Sequence, residues 1–417
     1  MNDGIAVTVS IAALMPLPLN GMGVGYTCGS LAKGMADPEF GVTIVAPRSR
    51  WPLSPVEVVE VLPAWARYAP YKWVEPWARS RIEDALLTCI DRLQPESTAA
   101  YLWPDASIET LRELKRRNVT VFREQFNCHT ATAKRILDLA YERLGVTPQH
   151  GITARRIDHE VQVSEAVDHI FAPSPLVASS LLENGVARGK VLNATYGWDA
   201  CRLAGDRTLI PSIEGITAIF VGAICVRKGA HLLLEYWARS GVRGRLVLAG
   251  ELEPIIKEKC ASLLSRDDVL VLNYFKDIGS LYRSADIFMF PSLEEGSPLV
   301  IYEACGSGLP ILTTPMGAGW IIRPHREGIV LDPYDAPGWI DAIRLLAEDH
   351  ELRRRMSITA AERSKSLTWA TVARQRRRQI TDCLTGHATA VPSQCGGGVS
   401  PAAARVPTEN SLSAPKF

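Results

Sequence analysis

At 417 residues the chain is too long for one ordinary domain and suits two of about 200 residues each. A 47% hydrophobic and 22% charged composition describes a globular protein with substantial cores, and a net charge of +1 argues against a partner dominated by nucleic acid. Nine scattered cysteines without a C-x-x-C pair argue against a disulfide scaffold and against structural zinc.

The first residues lack a basic segment followed by an apolar run, so no signal peptide is expected. No apolar stretch reaches the roughly 18 residues of a membrane span. The expected location is cytoplasmic. Short β-branched runs then alternate with helical stretches, the pattern of an α/β chain with parallel sheets. Strands are predicted at 5–11, 42–46, 99–103, 119–122, 169–172 and 191–194, and helices at 28–35, 79–93, 108–117, 130–144 and 176–183. An irregular seam at 198–215 follows, and the alternation begins again. Strands are predicted at 218–222, 245–249, 269–273, 287–290, 311–314 and 328–331. The intervening helices fall near 231–239, 254–264, 278–284, 298–307, 337–348 and 352–366, with a last one ending at 384. Two halves of this kind form a cleft where strand C-termini and helix N-termini converge. Residues 385–417 are rich in Ala, Ser, Pro and Gly, and a disordered tail is expected there.

The segment 290–310, FPSLEEGSPLVIYEACGSGLP, holds the most chemistry. A strand ends at Phe290, and a loop carries Glu294, Glu295, Gly296 and Ser297. Pro298 suits the first residue of a helix. Gly296 lets a ligand approach the backbone, and the helix start offers free N–H groups to an anion. Glu303, about 1.5 turns along the helix, can reach another part of the same ligand. The competing reading is a surface loop with a solvated helix glutamate. In 219–229, IFVGAICVRKG, a strand and a glycine turn lead to Arg227 and Lys228. Adjacent cations there suit a diphosphate that gains charge as it leaves a sugar, although a solvated basic pair has the same spacing.

The order of VG…RKG, LVLAGE (246–251) and LYRSADIFMFPSLEEGSPLVIYEACGSGLPILTT (281–314) resembles the donor domain of the family 4 (group 1) glycosyltransferases. That resemblance covers roughly 217–380. It implies an α/β chain of the GT-B type, two Rossmann-like domains facing each other across a cleft. The implied division is an acceptor-side domain over 1–200, a nucleotide-sugar domain over 201–384 with a terminal crossover helix, and the tail. The family transfers a sugar, with retention, from a nucleoside-diphosphate sugar to a hydroxyl acceptor in polysaccharide or glycoconjugate synthesis. The implied acceptor is a glycan, a lipid-linked molecule or a small molecule. No metal and no cofactor beyond the donor are implied, and no nucleic-acid partner. Glu295 would face the donor sugar, Glu303 the ribose, and Arg227 and Lys228 the diphosphate. Gly296, Ser297, Pro298 and Leu299 would present backbone to sugar and phosphate. Many relatives place an Arg immediately after the strand-end glycine, where this chain has Ala223, so Arg227 is expected to supply that charge.

The first half resembles the family more loosely. In NGMGVGYTCGSLAKGM (20–35), Gly23 and Gly25 are the expected cleft glycines, and the spacing fails the dinucleotide fingerprint G-x-G-x-x-G. His129 is the nearest match to a cleft histidine, with Glu124 and Asn127 in the same loop as competitors. Asp199 is expected at the interdomain junction. Residues 64–81, AWARYAPYKWVEPWARSR, interleave aromatics with cations. They suit a peripheral contact with a membrane surface or lipid-linked acceptor, or an ordinary place in the core, and two prolines argue against one continuous helix. The run RQRRR at 374–378 suits anionic lipid or a solvated helix face. Two other readings stand beside the transferase: an NAD(P)-dependent oxidoreductase with tandem Rossmann domains, and a non-catalytic nucleotide-sugar binding protein.

Overall fold

The computed structural model describes residues 9–386 apart from 64, 67–68, 94–96, 105, 204–209 and 274–276. Two wholly parallel sheets organise it. The first contains β1 (Val9–Leu14), β2 (Phe40–Ala46), β3 (Glu57–Glu60), β4 (Thr98–Leu102), β5 (Thr120–Glu124), β6 (His169–Ala172) and β7 (Val191–Asn193), in the order β3-β2-β1-β4-β5-β6-β7. The second contains β8 (Ile216–Val221), β9 (Gly244–Ala249), β10 (Val269–Leu272), β11 (Ile287–Phe290), β12 (Ile311–Thr313) and β13 (Gly328–Val330), in the order β10-β9-β8-β11-β12-β13. Central strands such as β4, β8 and β11 are buried along their whole length, because helices cover both faces of each sheet. In each sheet the order reverses beside its first strand, between β1 and β4 and between β8 and β11. At such a point the loops diverge and leave a crevice outside the strand C-termini.

Every predicted strand has a counterpart among the described residues; the first runs over Val9–Leu14 there, and positions 5–8 of its expected range lie outside the described residues. Sequence patterning misses β3 and the helix Ala154–Ala166. The first is a four-residue edge strand, EVVE, with an exposed glutamate at its start. The second buries only Glu160, Val163 and Ser164, too few apolar residues to show a helical period. The helix Gly23–Met35 begins five residues earlier than predicted. Its glycines are poor helix formers, but they admit close packing: a Cβ on Gly34 would lie 2.6 Å from Ala373 Cβ. The partner there is the terminal helix Trp369–Leu384, which returns from the second domain as the resemblance implies. Trp369 Nε1 donates to Tyr26 OH at 2.9 Å.

The prolines of 64–81 act differently from one another. Pro70 precedes the helix Tyr71–Arg92, but Pro76 lies inside it. Pro76 forfeits only one early hydrogen bond, to a carbonyl near the helix start and on an exposed side, where water can replace it. The run 374–378 is neither a lipid-facing nor a solvated unit. The Arg376 side chain is 1% exposed, bonds Glu124 and Tyr101, and stacks 3.9 Å from the Phe171 ring. Arg377 pairs with Asp37 and Glu39. The expected tail lies outside the described residues from 387 onward.

Candidate active site

The loops after β8 and β11 meet at the switch point of the second sheet. After β8, Gly222 takes φ +132°, a conformation that favours glycine, and the chain turns through Arg227 and Lys228 to Gly229. Gly229, at φ +68°, caps the helix Ala230–Ser240, and a Cβ there would strike the Pro291 carbonyl at 2.0 Å. That contact seats the cationic turn directly against the β11 loop. Leu293 N donates to the Arg227 carbonyl at 3.0 Å and fixes the register between them.

Three of the expected residues come together there. Glu295 Oε1 lies 3.0 Å from Arg227 Nη1 and 3.2 Å from Lys228 Nζ. Burial pushes the Glu295 carboxyl up, but Lys228 and Arg227 outweigh it and hold the group below the usual carboxylate range. Its neighbour Glu294 behaves oppositely: burial prevails over the pull of Arg227, and its pKa is raised. Adjacent glutamates thus differ in acidity because Glu295 meets two cations, whereas Glu294 meets only Arg227, at 3.5 Å, and is repelled by Glu295. Lys228 reaches its partner by passing between Gly222 and the Phe290 ring, whose centroid is 5.3 Å from Nζ.

Glu294 spans the two domains. Its Oε2 accepts from Asn127 Nδ2 at 2.7 Å and its Oε1 from the Cys128 N–H at 3.1 Å, while its carbonyl accepts from Arg227 Nη1 at 2.9 Å. Gly296 belongs to the same contact. A Cβ there would fall 1.5 Å from the Phe126 carbonyl oxygen, so the absent side chain admits the first domain's backbone. The ligand expected in that room is therefore displaced by protein backbone in this arrangement. Ser297 Oγ is 2.7 Å from Tyr302 OH, which accepts from the Tyr196 N–H at 2.9 Å. Pro298 is the N-cap, one residue before the helix Leu299–Gly306, so Leu299 rather than Pro298 opens the helix.

Glu303 is held one turn further along. Its Oε2 accepts from Tyr282 OH at 2.9 Å, and Arg202 Nε lies 3.7 Å from Oε1. Burial raises its pKa against the pull of Arg202 and Tyr282. Arg202 also donates to the Gly21 carbonyl at 3.2 Å and stacks 4.1 Å from the Tyr26 ring, joining the glycine-rich loop to the second domain. Sequence reasoning missed Arg202 and Tyr282, since nothing local in WDACRLAG or LYRSAD announces them. Gly23 and Gly25 lie in the first turn of the helix that follows the glycine-rich loop, not in the loop: Gly23 takes φ +54° with open space around a Cβ position, whereas Gly25 packs 3.3 Å from the Pro18 carbonyl.

His129 does not join the cations. It caps the helix Thr130–Arg143, with Nδ1 accepting from the Ala131 N–H at 3.3 Å and Nε2 lying 3.9 Å from Glu160. Burial lowers its pKa against the attraction of Glu160. Glu124 is committed to Arg376, and Asn127 to Glu294. Asp199 accepts from the Cys201 N–H at 2.9 Å within its own turn. Among the described residues no group of three or more His, Cys, Asp or Glu side chains is arranged to hold a metal ion.

The family described as Glycosyl transferases group 1 matches residues 215–349, from the start of the second sheet to the helix beyond β13. The second domain is a group 1 glycosyltransferase domain. A curated D-inositol 3-phosphate glycosyltransferase from Corynebacterium efficiens is 30% identical to the chain over 125 residues. That match takes in 30% of this chain and 28% of the relative, so the chain spans less than a third of that relative's length. Solved structures extend the likeness to both halves. A sucrose-phosphate synthase from Thermosynechococcus elongatus superposes with a TM-score of 0.68 at 18% identity, covering 91% of this chain and all of that one. Anabaena HepE in complex with UDP gives 0.66 at 14% identity over 90% of this chain and 100% of its own. Together with the two parallel sheets, these neighbours identify the fold as GT-B, and the glycosyltransferase domain is its C-terminal half.

Proposed function

We propose that the chain is a retaining, metal-independent glycosyltransferase that moves a sugar from a nucleoside-diphosphate sugar to a hydroxyl acceptor, in polysaccharide or glycoconjugate synthesis. The observation that carries this is the cluster of Arg227, Lys228 and Glu295 at the β8/β11 switch point. The two cations already meet one oxygen, Oε1 of Glu295, at ion-pair distance. A diphosphate entering between the domains would take over both cations and release the carboxylate toward the donor sugar. Glu303, kept in place by Tyr282, would accept from ribose hydroxyls, while Gly296, Ser297 and Leu299 would offer backbone N–H groups to the phosphates and Pro298, which has none, would only shape the turn. Gly23 and Gly25 would border the cleft from the acceptor-side domain over 1–200, opposite the donor domain over 201–384. His129 would act from the first domain only by rotating out of its cap.

In the step itself the bond from the sugar's anomeric carbon to the diphosphate breaks. A bond to the acceptor oxygen forms on the same face, and the acceptor proton passes to the departing phosphate. Arg227 and Lys228 stabilise the charge that collects on that phosphate, a contribution of several kcal/mol in order of magnitude. The UDP complex of HepE supports placing uridine donors first in a search. A thermal-shift panel of UDP-, GDP- and ADP-sugars tests the reading, since a ligand of the native state raises Tm. Shift by one nucleotide class, transfer that persists in chelator, and an α-linked product from an α-linked donor by NMR are expected. A flat panel overturns the assignment of the site.

A further inference from the structure

Trp65 and Trp73 are 74% and 80% exposed, the two most exposed large hydrophobic residues among those described. Leu17 and Met22, 43% and 52% exposed, lie in the loop that follows β1. Only Val161, Leu345 and Ile358 join them in that class, scattered on helices elsewhere. The four are gathered at one end of the first sheet by specific bonds. Tyr71 OH donates to the Pro16 carbonyl at 2.6 Å, beside Leu17. Arg48 Nη1 donates to the carbonyls of Ala66 and Ala69 at 3.1 and 3.0 Å, next to Trp65. The Leu19 N–H donates to the Arg48 carbonyl at 2.9 Å and the Leu19 carbonyl accepts from the Arg50 N–H at 2.8 Å, which closes the β1 loop onto the β2 loop. All of this lies beyond the C-termini of β1 and β2, on the rim of the interdomain cleft.

The helix Tyr71–Arg92 shows how the chain divides its faces there. Val74, Ala78 and Ile82 repeat every four residues and are buried, whereas Lys72, Trp73, Pro76 and Arg79 form an exposed stripe. A tryptophan left almost fully in water costs solvation free energy that a partner would recover. Lys72 flanks it, Arg79 is 74% exposed although it pairs with Glu75, and Arg81 stacks 3.7 Å from the Trp77 ring. Aromatic rings accompanied by cations match the interfacial zone of an anionic bilayer, where rings sit at headgroup depth and each cation adds about 1 kcal/mol. Protein interfaces also favour Trp, Met and Arg but are depleted in lysine, so Lys72 beside Trp73 favours the bilayer over a protein partner.

We propose that this rim is a docking surface for an anionic lipid bilayer, engaged through Trp65 and Trp73 with Lys72 and Arg79 beside them. Docking in this way holds the acceptor-side mouth of the cleft at the headgroups. It is peripheral, since no helix among the described residues is long and apolar enough to cross a membrane. The surface itself does not depend on the sugar-transfer reading.

The test is sedimentation of the full chain with phosphatidylglycerol–phosphatidylcholine vesicles and with phosphatidylcholine vesicles alone. Wild-type protein is expected in the pellet with the anionic vesicles and in the supernatant with the neutral ones, with binding that weakens as salt rises. Trp65→Ala with Trp73→Ala is expected to lower the partition coefficient at least about tenfold, and Lys72→Glu with Arg79→Glu to abolish the preference for anionic lipid. These side chains are exposed, so both double variants should keep the wild-type Tm. Wild-type protein that ignores anionic vesicles overturns the proposal. So does a tryptophan variant that pellets like wild type, or self-association through the tryptophans without vesicle binding.

Discussion

The ammonium of Lys228 lies directly over Gly222, so that a Cβ on the glycine would come within 2.9 Å of Nζ. The glycine therefore leaves the channel through which the lysine reaches Glu295, in addition to taking a φ of +132°. Gly222→Ala is expected to displace the ammonium and strain the backbone by about 1–3 kcal/mol. Turnover should fall at least about tenfold beyond what the loss of stability explains. Unfolding curves and initial rates on the same preparation check this, and an unchanged rate would remove Lys228 from the site.

Lys228→Met carries a prediction about pH. Glu295 is buried, and its carboxyl stays below the usual range only because two cations overcome that burial. A depressed carboxylate pKa means that the ionised form persists as pH falls, until the folded value is crossed. With one cation gone, burial meets less opposition and the pKa rises. The acid limb of kcat/KM should move to higher pH in the variant, besides a general loss of rate. A profile that keeps its wild-type acid limb while losing rate would show that Glu295 does not govern that limb.

Glu294 holds the domains together through Asn127 and the Cys128 N–H. Glu294→Ala leaves the buried Cys128 N–H and the Asn127 side-chain amide without their acceptor, which costs about 1–3 kcal/mol. Glu294→Gln retains an acceptor for Cys128 and should cost less. Chemical denaturation of both variants gives the comparison, and equal stabilities would mean that this contact is solvated. The transferase reading adds an expectation that KM for the donor rises in Glu294→Ala, because the closed arrangement is disfavoured.

Much of this was legible in the sequence for a physical reason. Parallel strands covered on both faces show as continuous apolar runs, so twelve of the thirteen strands among the described residues were readable, and β3 was lost because an edge strand need not be apolar. Arg227, Lys228 and Glu295 were readable because each lies beside a strand-end turn whose glycines constrain the backbone. Arg202, Tyr282 and Arg376 were not, since each meets its partner only through the tertiary fold: Arg202 and Glu303 are 101 residues apart, 303 less 202. His129 shows the converse. Its position at a strand-to-helix loop suited a cleft residue, yet the free N–H groups of the following helix captured its Nδ1.

Arg376 and Glu124 join the terminal helix to β5 through an ion pair exposed by 1% and 0%. Removing one member of such a pair leaves an uncompensated buried charge, at a cost of about 3–5 kcal/mol. Arg376→Met should therefore destabilise the chain severely. Arg376→Met with Glu124→Leu should be less destabilised than the sum of the two single changes, giving a coupling measurable by a double-mutant cycle. Burial already raises the Glu124 pKa despite Arg376, and loss of the arginine raises it further. A raised carboxyl binds its proton more tightly when folded, so its contribution to stability is present at low pH and lost as pH rises through the folded value. The penalty of Arg376→Met should shrink as the medium is acidified toward that value, and denaturant titrations across pH will show it. A penalty that is constant with pH would mean that Arg376 stabilises the helix by packing on Phe171, 3.9 Å away, and not by charge.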